Sequence, residues 1–279
     1  MHKALKWILS IIGVVIILIG GGLAYLYFTL NSSGSFANLV IEKGTVQYSV
    51  DGTDWKSAVN GMTLKEGYTL RTDMGSKAMI LLSNSVTRMD ENTSLSLDSL
   101  TPQKVSITQT IGRTWTNLLK LSGIKEYDLN TPNAIASVRG TIFTCSYDGV
   151  STKCQQIQSQ MEFSSNGTVK TLQPGEALEL KAGEFIQTSV DLSDSWIVEN
   201  GLLDSKYKDQ LKSCLEKKYS LAINTALSQN LISQEQLNAF FDDWYAGRIK
   251  IADNMDQIPS QIRAMIKNPE DLGNFCVLK

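Results

Sequence analysis

The chain has 279 residues, with 26 Lys plus Arg against 28 Asp plus Glu and a formal net charge of −2. That balance carries no nucleic-acid footprint, which shows as a basic domain. A hydrophobic content of 42% is ordinary for globular material and leaves room for one or two cores. The single histidine, His2, stands at the extreme N-terminus, so Ser-His, Cys-His and His-metal sites are excluded from the body of the chain.

Trp7–Leu30 is uncharged and mostly apolar, long enough to cross a bilayer with some tilt. His2, Lys3, Lys6 and the amino terminus precede it, and no Lys or Arg follows until Lys43. The positive-inside rule then predicts a cytoplasmic tail over residues 1–6, a transmembrane helix over 7–30 and all the rest outside. Trp7 and the Tyr25, Tyr27, Phe28 group fall where interfacial aromatics sit. The apolar core is longer than that of a cleaved leader and ends in bulky residues, which favours an anchor. Residues 31–38 read as a polar linker.

From 39 to 192 the text is strand text: short runs of Val, Ile, Thr, Leu and Tyr between the turn clusters DGTD, NG, EG, DMGS, SN, DENTS, SSNG, QPGE and AGE. Turn signals every eight to twelve residues argue an all-β roll, sandwich or solenoid, and composition does not choose among them. Within this stretch Trp115, Leu118, Leu119 and Gly123 suit one or two helical turns capping an open end. Thr131–Phe143 (TPNAIASVRGTIF) reads as one strand buried on both faces, with Pro132 barring helix just before it. A buried Arg139 would need a carboxylate or several carbonyls around it, and the adjacent Gly140 marks a bulge or a close backbone approach. Cys145 and Cys154 flank the turn signal Asp148-Gly149. A hairpin centred between Gly149 and Val150 would set the two cysteines opposite each other, within disulfide reach; a loop centred half a residue earlier would offset them.

The segment TPNAIASVRGTIF resembles the signature strand of the ferric-citrate regulator (FecR) domain family. The resemblance extends over roughly residues 39–190. Upstream it rests on Gly44, Trp55, Val59, Leu64, Gly67, Leu70-Arg71-Thr72, Gly75, Ala78 and Leu95, and downstream on Pro174-Gly175-Glu176. Tyr68 departs from it, since the family usually has an acidic residue after that glycine. The resemblance implies a twisted β-sandwich or β-helix-like domain in which Arg139, Gly140, Trp55 and Gly67 are structural. It also brings a signalling role that, in the best-known members, uses a cytoplasmic anti-sigma segment. Residues 1–6 are too short to fold into one.

Beyond 192 the period changes to 3.6, and 193–279 reads as a small α-helical domain in which no family is recognised. Tyr207, Leu211, Cys214, Leu215 and Tyr219 share one helical face; Leu237, Phe240, Phe241, Trp244 and Tyr245 share another. Ser233 with Gln236 is a capping-box pair, and Gly247 can close that helix. A further amphipathic piece carries Ile258, Ile262, Met265 and Ile266, ended by Asn268-Pro269. Cys214 and Cys276 are left as a second disulfide candidate.

No catalytic, cofactor or metal site is expected. No phosphate-binding glycine motif is present. The acidic pairs Asp90/Glu91 and Asp242/Asp243 read as turn residues and a solvated helix face rather than a hydrolase pair. The expectation is a single-pass, cell-membrane protein whose extracytoplasmic bulk binds a protein or an envelope polymer as a sensing platform. A structural envelope module and an extracellular hydrolase are the alternatives.

Overall fold

A computed structural model describes residues 37–82, 85–119 and 124–246. The predicted tail, membrane helix and most of the linker lie outside these residues, as do Gly247, the amphipathic piece from Ile258 and Cys276. Among the described residues no helix is long and apolar enough to cross a membrane.

The described residues are mainly β, followed by three helices. One sheet runs in spatial order β4 (Thr63–Leu64), β1 (Ala37–Lys43), β6 (Lys77–Leu82), β7 (Ser85–Met89), the C-terminal part of β9 (Lys104–Asn117), β12 (Ile142–Tyr147), β13 (Thr152–Gln158), β16 (Glu176–Lys181) and β17 (Glu184–Ser189). The second runs β3 (Lys56–Ser57), β2 (Val46–Ser49), β5 (Thr69–Thr72), β8 (Ser94–Leu100), the N-terminal part of β9, β10 (Glu126–Asn130), β11 (Ile135–Val138), β14 (Met161–Ser165) and β15 (Thr168–Leu172). Neighbours are antiparallel except β9 and β10.

Side chains alternate between faces along each strand, and the inward set of both sheets forms one apolar cluster. Leu39, Ile80, Met89, Phe143 and Leu178 come from the first sheet, and Leu70, Leu97, Ile107, Tyr127 and Phe163 from the second. β9 belongs to both sheets, and it turns between them at Gly112 with φ +93°. A Cβ there would lie 2.4 Å from Thr93 Oγ1 and 2.5 Å from Thr93 Cα.

The turn clusters among the described residues fall at the strand junctions, as the sequence indicates, and the SN pair at 83–84 lies outside them. Two expectations do not hold. Thr114–Asn117 is extended β9, not helix, and Leu118 continues without helix by donating its N–H to the Thr141 carbonyl at 2.9 Å, while Gly123 lies outside the described residues. Nor is Thr131–Phe143 one strand: β11 ends at Val138 in one sheet and β12 starts at Ile142 in the other. Its apolar residues serve two sheets across a corner, so a run that reads as doubly buried is two half-buried strands.

The helices are α1 (Ser195–Lys218), α2 (Ser220–Ser228) and α3 (Gln234–Tyr245). Asp194 caps α1 by accepting the Trp196 N–H, and Lys217 and Lys218 complement its C-terminal dipole. Ser233 and Gln236 make the capping box of α3. The two predicted helical faces meet each other. Leu211 and Leu215 pack with Phe241 and Trp244, and Cys214, Tyr219, Phe240 and Tyr245 flank them.

Candidate functional site

The register of the first sheet sets one outward row of side chains: Arg88 of β7 lies opposite Trp115 of β9, Trp115 opposite Thr144 of β12, and Thr144 opposite Gln155 of β13. Alternation turns all four away from the core, and α1 with its lead-in lies along them. Arg88 Nη1 donates to Asp204 Oδ1 at 2.6 Å and Trp115 Nε1 donates to Asp204 Oδ2 at 2.9 Å. Thr144 Oγ1 accepts from Trp196 Nε1 at 3.1 Å, and Gln155 Oε1 accepts the Asp191 N–H at 3.0 Å. Three strands thus grip the helix through one row, and the fourth holds its lead-in.

The Arg88–Asp204 pair is out of water, with side chains 3% and 8% exposed. Desolvation pushes the Asp204 carboxyl up, opposed by the Arg88 charge and by hydrogen bonds from Arg88 and Trp115. Burial also pushes the neighbouring Tyr207 hydroxyl up to about 12. Apolar contact of Trp115 with Trp196 and Ile197 seals the joint, with Ile142, Ile157 and Val190 around it.

At the N-terminal end of α1 a polar cleft of about 280 Å³ opens between helix and sheet, lined by Lys43, Lys77, Asp90, Glu91, Arg113 and Glu199 among others. Arg113 donates from Nε and Nη2 to Asp90 at 3.1 and 2.8 Å, and from Nη1 to the capping Asp194 at 2.9 Å. Lys77 pairs with Glu199 at 2.5 Å. Both cations stand over the Trp196 ring, at 5.1 Å for Arg113 and 5.6 Å for Lys77. This arrangement fixes a helix and presents a polar, charge-balanced rim. Among the described residues no group of three or more His, Cys, Asp and Glu is placed to hold a metal ion.

The residues singled out in the sequence occupy separate places. Arg139 is exposed at the corner between β11 and β12 and makes no hydrogen bond or ion pair among the described residues, so the expectation of a buried, paired arginine is corrected. A corner has water on its outer side, which removes the need for a partner. Gly140 beside it is buried with φ +68°. Trp55 is half-buried with the Arg71 guanidinium 3.9 Å above its ring, and Arg71 Nε donates to Gln47. Gly67 is exposed in the turn before β5, its N–H donating to the Leu97 carbonyl at 2.7 Å. Cys145 and Cys154 are directly opposite, with Cα atoms 4.1 Å apart, and form a disulfide buried in the core. Cys214 is half-buried on α1, and its candidate partner Cys276 lies outside the described residues. The acidic candidates are occupied: Arg113 holds Asp90, the Gly75 N–H donates to Glu91, and Lys208 pairs with Asp242.

Arg88, Thr144, Trp196 and Asp204 escaped the sequence reading, and Trp115, expected in a helical turn, joins them on strand β9. The signal for Asp204 was available: extending the Tyr207, Leu211, Leu215 face back by three, seven and ten residues meets Asp204, Asn200 and Ile197, all buried. A carboxylate and an amide inside such a face call for partners on another element.

No family model matches the chain, and no curated protein matches it. Two crystal structures described as a "putative anti-sigma factor" from Parabacteroides distasonis, at 1.65 Å and 2.50 Å resolution, are similar to it at 16% identity and a TM-score of 0.40. The alignment covers 44% of this chain and 60% of theirs.

Proposed function

We propose that this is a membrane-anchored, extracytoplasmic protein of FecR-domain type that acts without catalysis, as a binding and sensing platform for a protein or envelope-polymer partner. The observation that carries the outside location is the Cys145–Cys154 disulfide, buried in the β core. Structural disulfides persist in oxidising compartments and are rare where thiols are kept reduced. The charge asymmetry around residues 7–30 supports the same orientation. The order and spacing of the FecR-like motifs support reading the two-sheet body as that family's twisted β domain. A platform role is supported by the clamped helix, which makes sheet and α1 a single stiff surface.

External protease on intact cells tests the location: digestion of the β region without lysis is expected, and protection until lysis overturns it. Release of the chain into the medium overturns the anchor. For the role, full-length chain is crosslinked on cells and, separately, mixed with purified envelope polymer. Stoichiometric capture of one protein, or saturable polymer binding, is expected; hydrolysis of the polymer overturns a non-catalytic platform.

A further inference from the structure

Two sheets with a common core have four outer edges, and three of these are closed or guarded. The edge of β1 is met by the loop before β4, where Leu39 N–H donates to Met62 O, Gly61 N–H to Leu39 O, and Ile41 N–H to Asn60 Oδ1. β3 is two residues long and carries Lys56. β15 carries an exposed Lys170 at its centre. Short strands and lysines are the usual devices that stop edge-to-edge pairing. β17 has neither device. Among the described residues it pairs with β16 alone; it runs six residues as EFIQTS without Pro, Lys or bulge, and its one charge, Glu184, sits at its first position. Its residues are exposed apart from the half-buried Phe185, and Ile186 is 44% exposed.

The backbone of this edge has a defined register. β16 and β17 join through a two-residue turn, Ala182-Gly183, both with positive φ, and Lys181 lies opposite Glu184. Residues flanking such a turn exchange both hydrogen bonds, and the pattern alternates along the hairpin. Glu184, Ile186 and Thr188 therefore bond inward to β16, while Phe185, Gln187 and Ser189 aim their N–H and C=O groups at solvent. A strand placed antiparallel on that edge finds these groups in the right order.

We propose that β17 pairs with β17 of a second copy of this chain, antiparallel, about a two-fold axis at Ile186. This rests on strand geometry and not on the proposed role. With Ile186 facing its own copy, Phe185 and Gln187 of each chain exchange hydrogen bonds with Gln187 and Phe185 of the other, four in all. Glu184 faces Thr188 across the edge, and the two Glu184 carboxylates stand about four residues apart along the strands, roughly 13 Å. No like charges oppose. The exposed Ile186 side chains meet at the centre, in the non-hydrogen-bonded pair where side chains approach most closely. The edge is self-complementary, which a heterologous strand would not require.

The test uses the full chain in detergent, with mass read by light scattering. A dimer is expected for the wild type, and a monomer with an unchanged melting temperature for Ile186→Lys. Ile186→Cys should give a disulfide-linked dimer on nonreducing gels, because opposed Cα atoms in such a pair lie about 4.5 Å apart, within disulfide reach. Glu184→Cys, far from its own copy, should give none. A monomeric wild type overturns the proposal, as does a dimer that survives Ile186→Lys. Crosslinking of Ile186→Cys on cells to a different protein overturns the second copy as the occupant.

Discussion

Arg88 and Asp204 are 116 residues apart in the chain and 2.6 Å apart in the fold, and their pair fastens the first helix to the β body. Truncating one member leaves the other charged and dry, a loss of about 3–5 kcal/mol. Arg88→Ala should therefore lower the urea-denaturation stability of the full chain by that amount. Replacing both members, Arg88→Met with Asp204→Leu, removes the stranded charge and should recover most of it. A single-variant loss under about 1 kcal/mol would show the joint to be hydrated.

Gly112 and Gly201 make a paired test of backbone geometry. Alanine at Gly112 meets Thr93 backbone at 2.5 Å and is held at φ +93°, in a region that costs about 1–3 kcal/mol for a side chain before any clash. Gly201, inside α1, has open space around it. Gly112→Ala should destabilise by more than about 2 kcal/mol, and Gly201→Ala should stabilise by roughly 0.5–1 kcal/mol. Chemical denaturation of the two variants checks both signs.

Exposed Arg139 carries no bond to lose among the described residues, so Arg139→Ala and Arg139→Lys should keep the wild-type melting temperature to within a degree or two, a surface change being worth less than about 0.5 kcal/mol. A large drop in thermal denaturation would mean that the corner is buried in the working protein. If partner binding alone falls, the β11–β12 corner belongs to the recognition surface.

What the sequence revealed follows from which interactions are local. Turns, strand alternation and the Ser233–Gln236 capping box are set by residues within about ten of one another and are legible; for Cys145 and Cys154 the sequence leaves two registers open, and the structure takes the one that sets them opposite each other. The corner at Arg139-Gly140 was not legible. Both flanking segments are apolar, and only pairing with β14 on one side and β9 on the other separates them into two sheets. The row Arg88, Trp115, Thr144, Gln155 was hidden for the same reason: four positions spread over the chain become neighbours only through register.

Asp148 gives the hairpin that carries the disulfide a pH-dependent hold. Its Oδ1 accepts the N–H groups of Val150 at 2.9 Å and Ser151 at 2.7 Å, and these bonds hold its carboxyl below the ordinary aspartate value of 3.8. Asp191, bonded to Ser193, and Glu126, bonded to Lys104, shift the same way. A carboxylate depressed in the fold stabilises fully above its unfolded pKa, and that contribution is lost as pH falls through the folded pKa. Asp204 works in the opposite sense: its raised pKa favours the neutral form in the fold, so its contribution is fully present below its unfolded pKa and fades as pH rises through the folded value. Stability against urea should therefore decline from about pH 5 downward. Asp148→Asn keeps an acceptor oxygen but no charge and should make that decline shallower. Urea titrations of wild type and variant across the acid limb read the difference directly. Parallel curves would mean that the turn holds Asp148 no more tightly than the unfolded chain does.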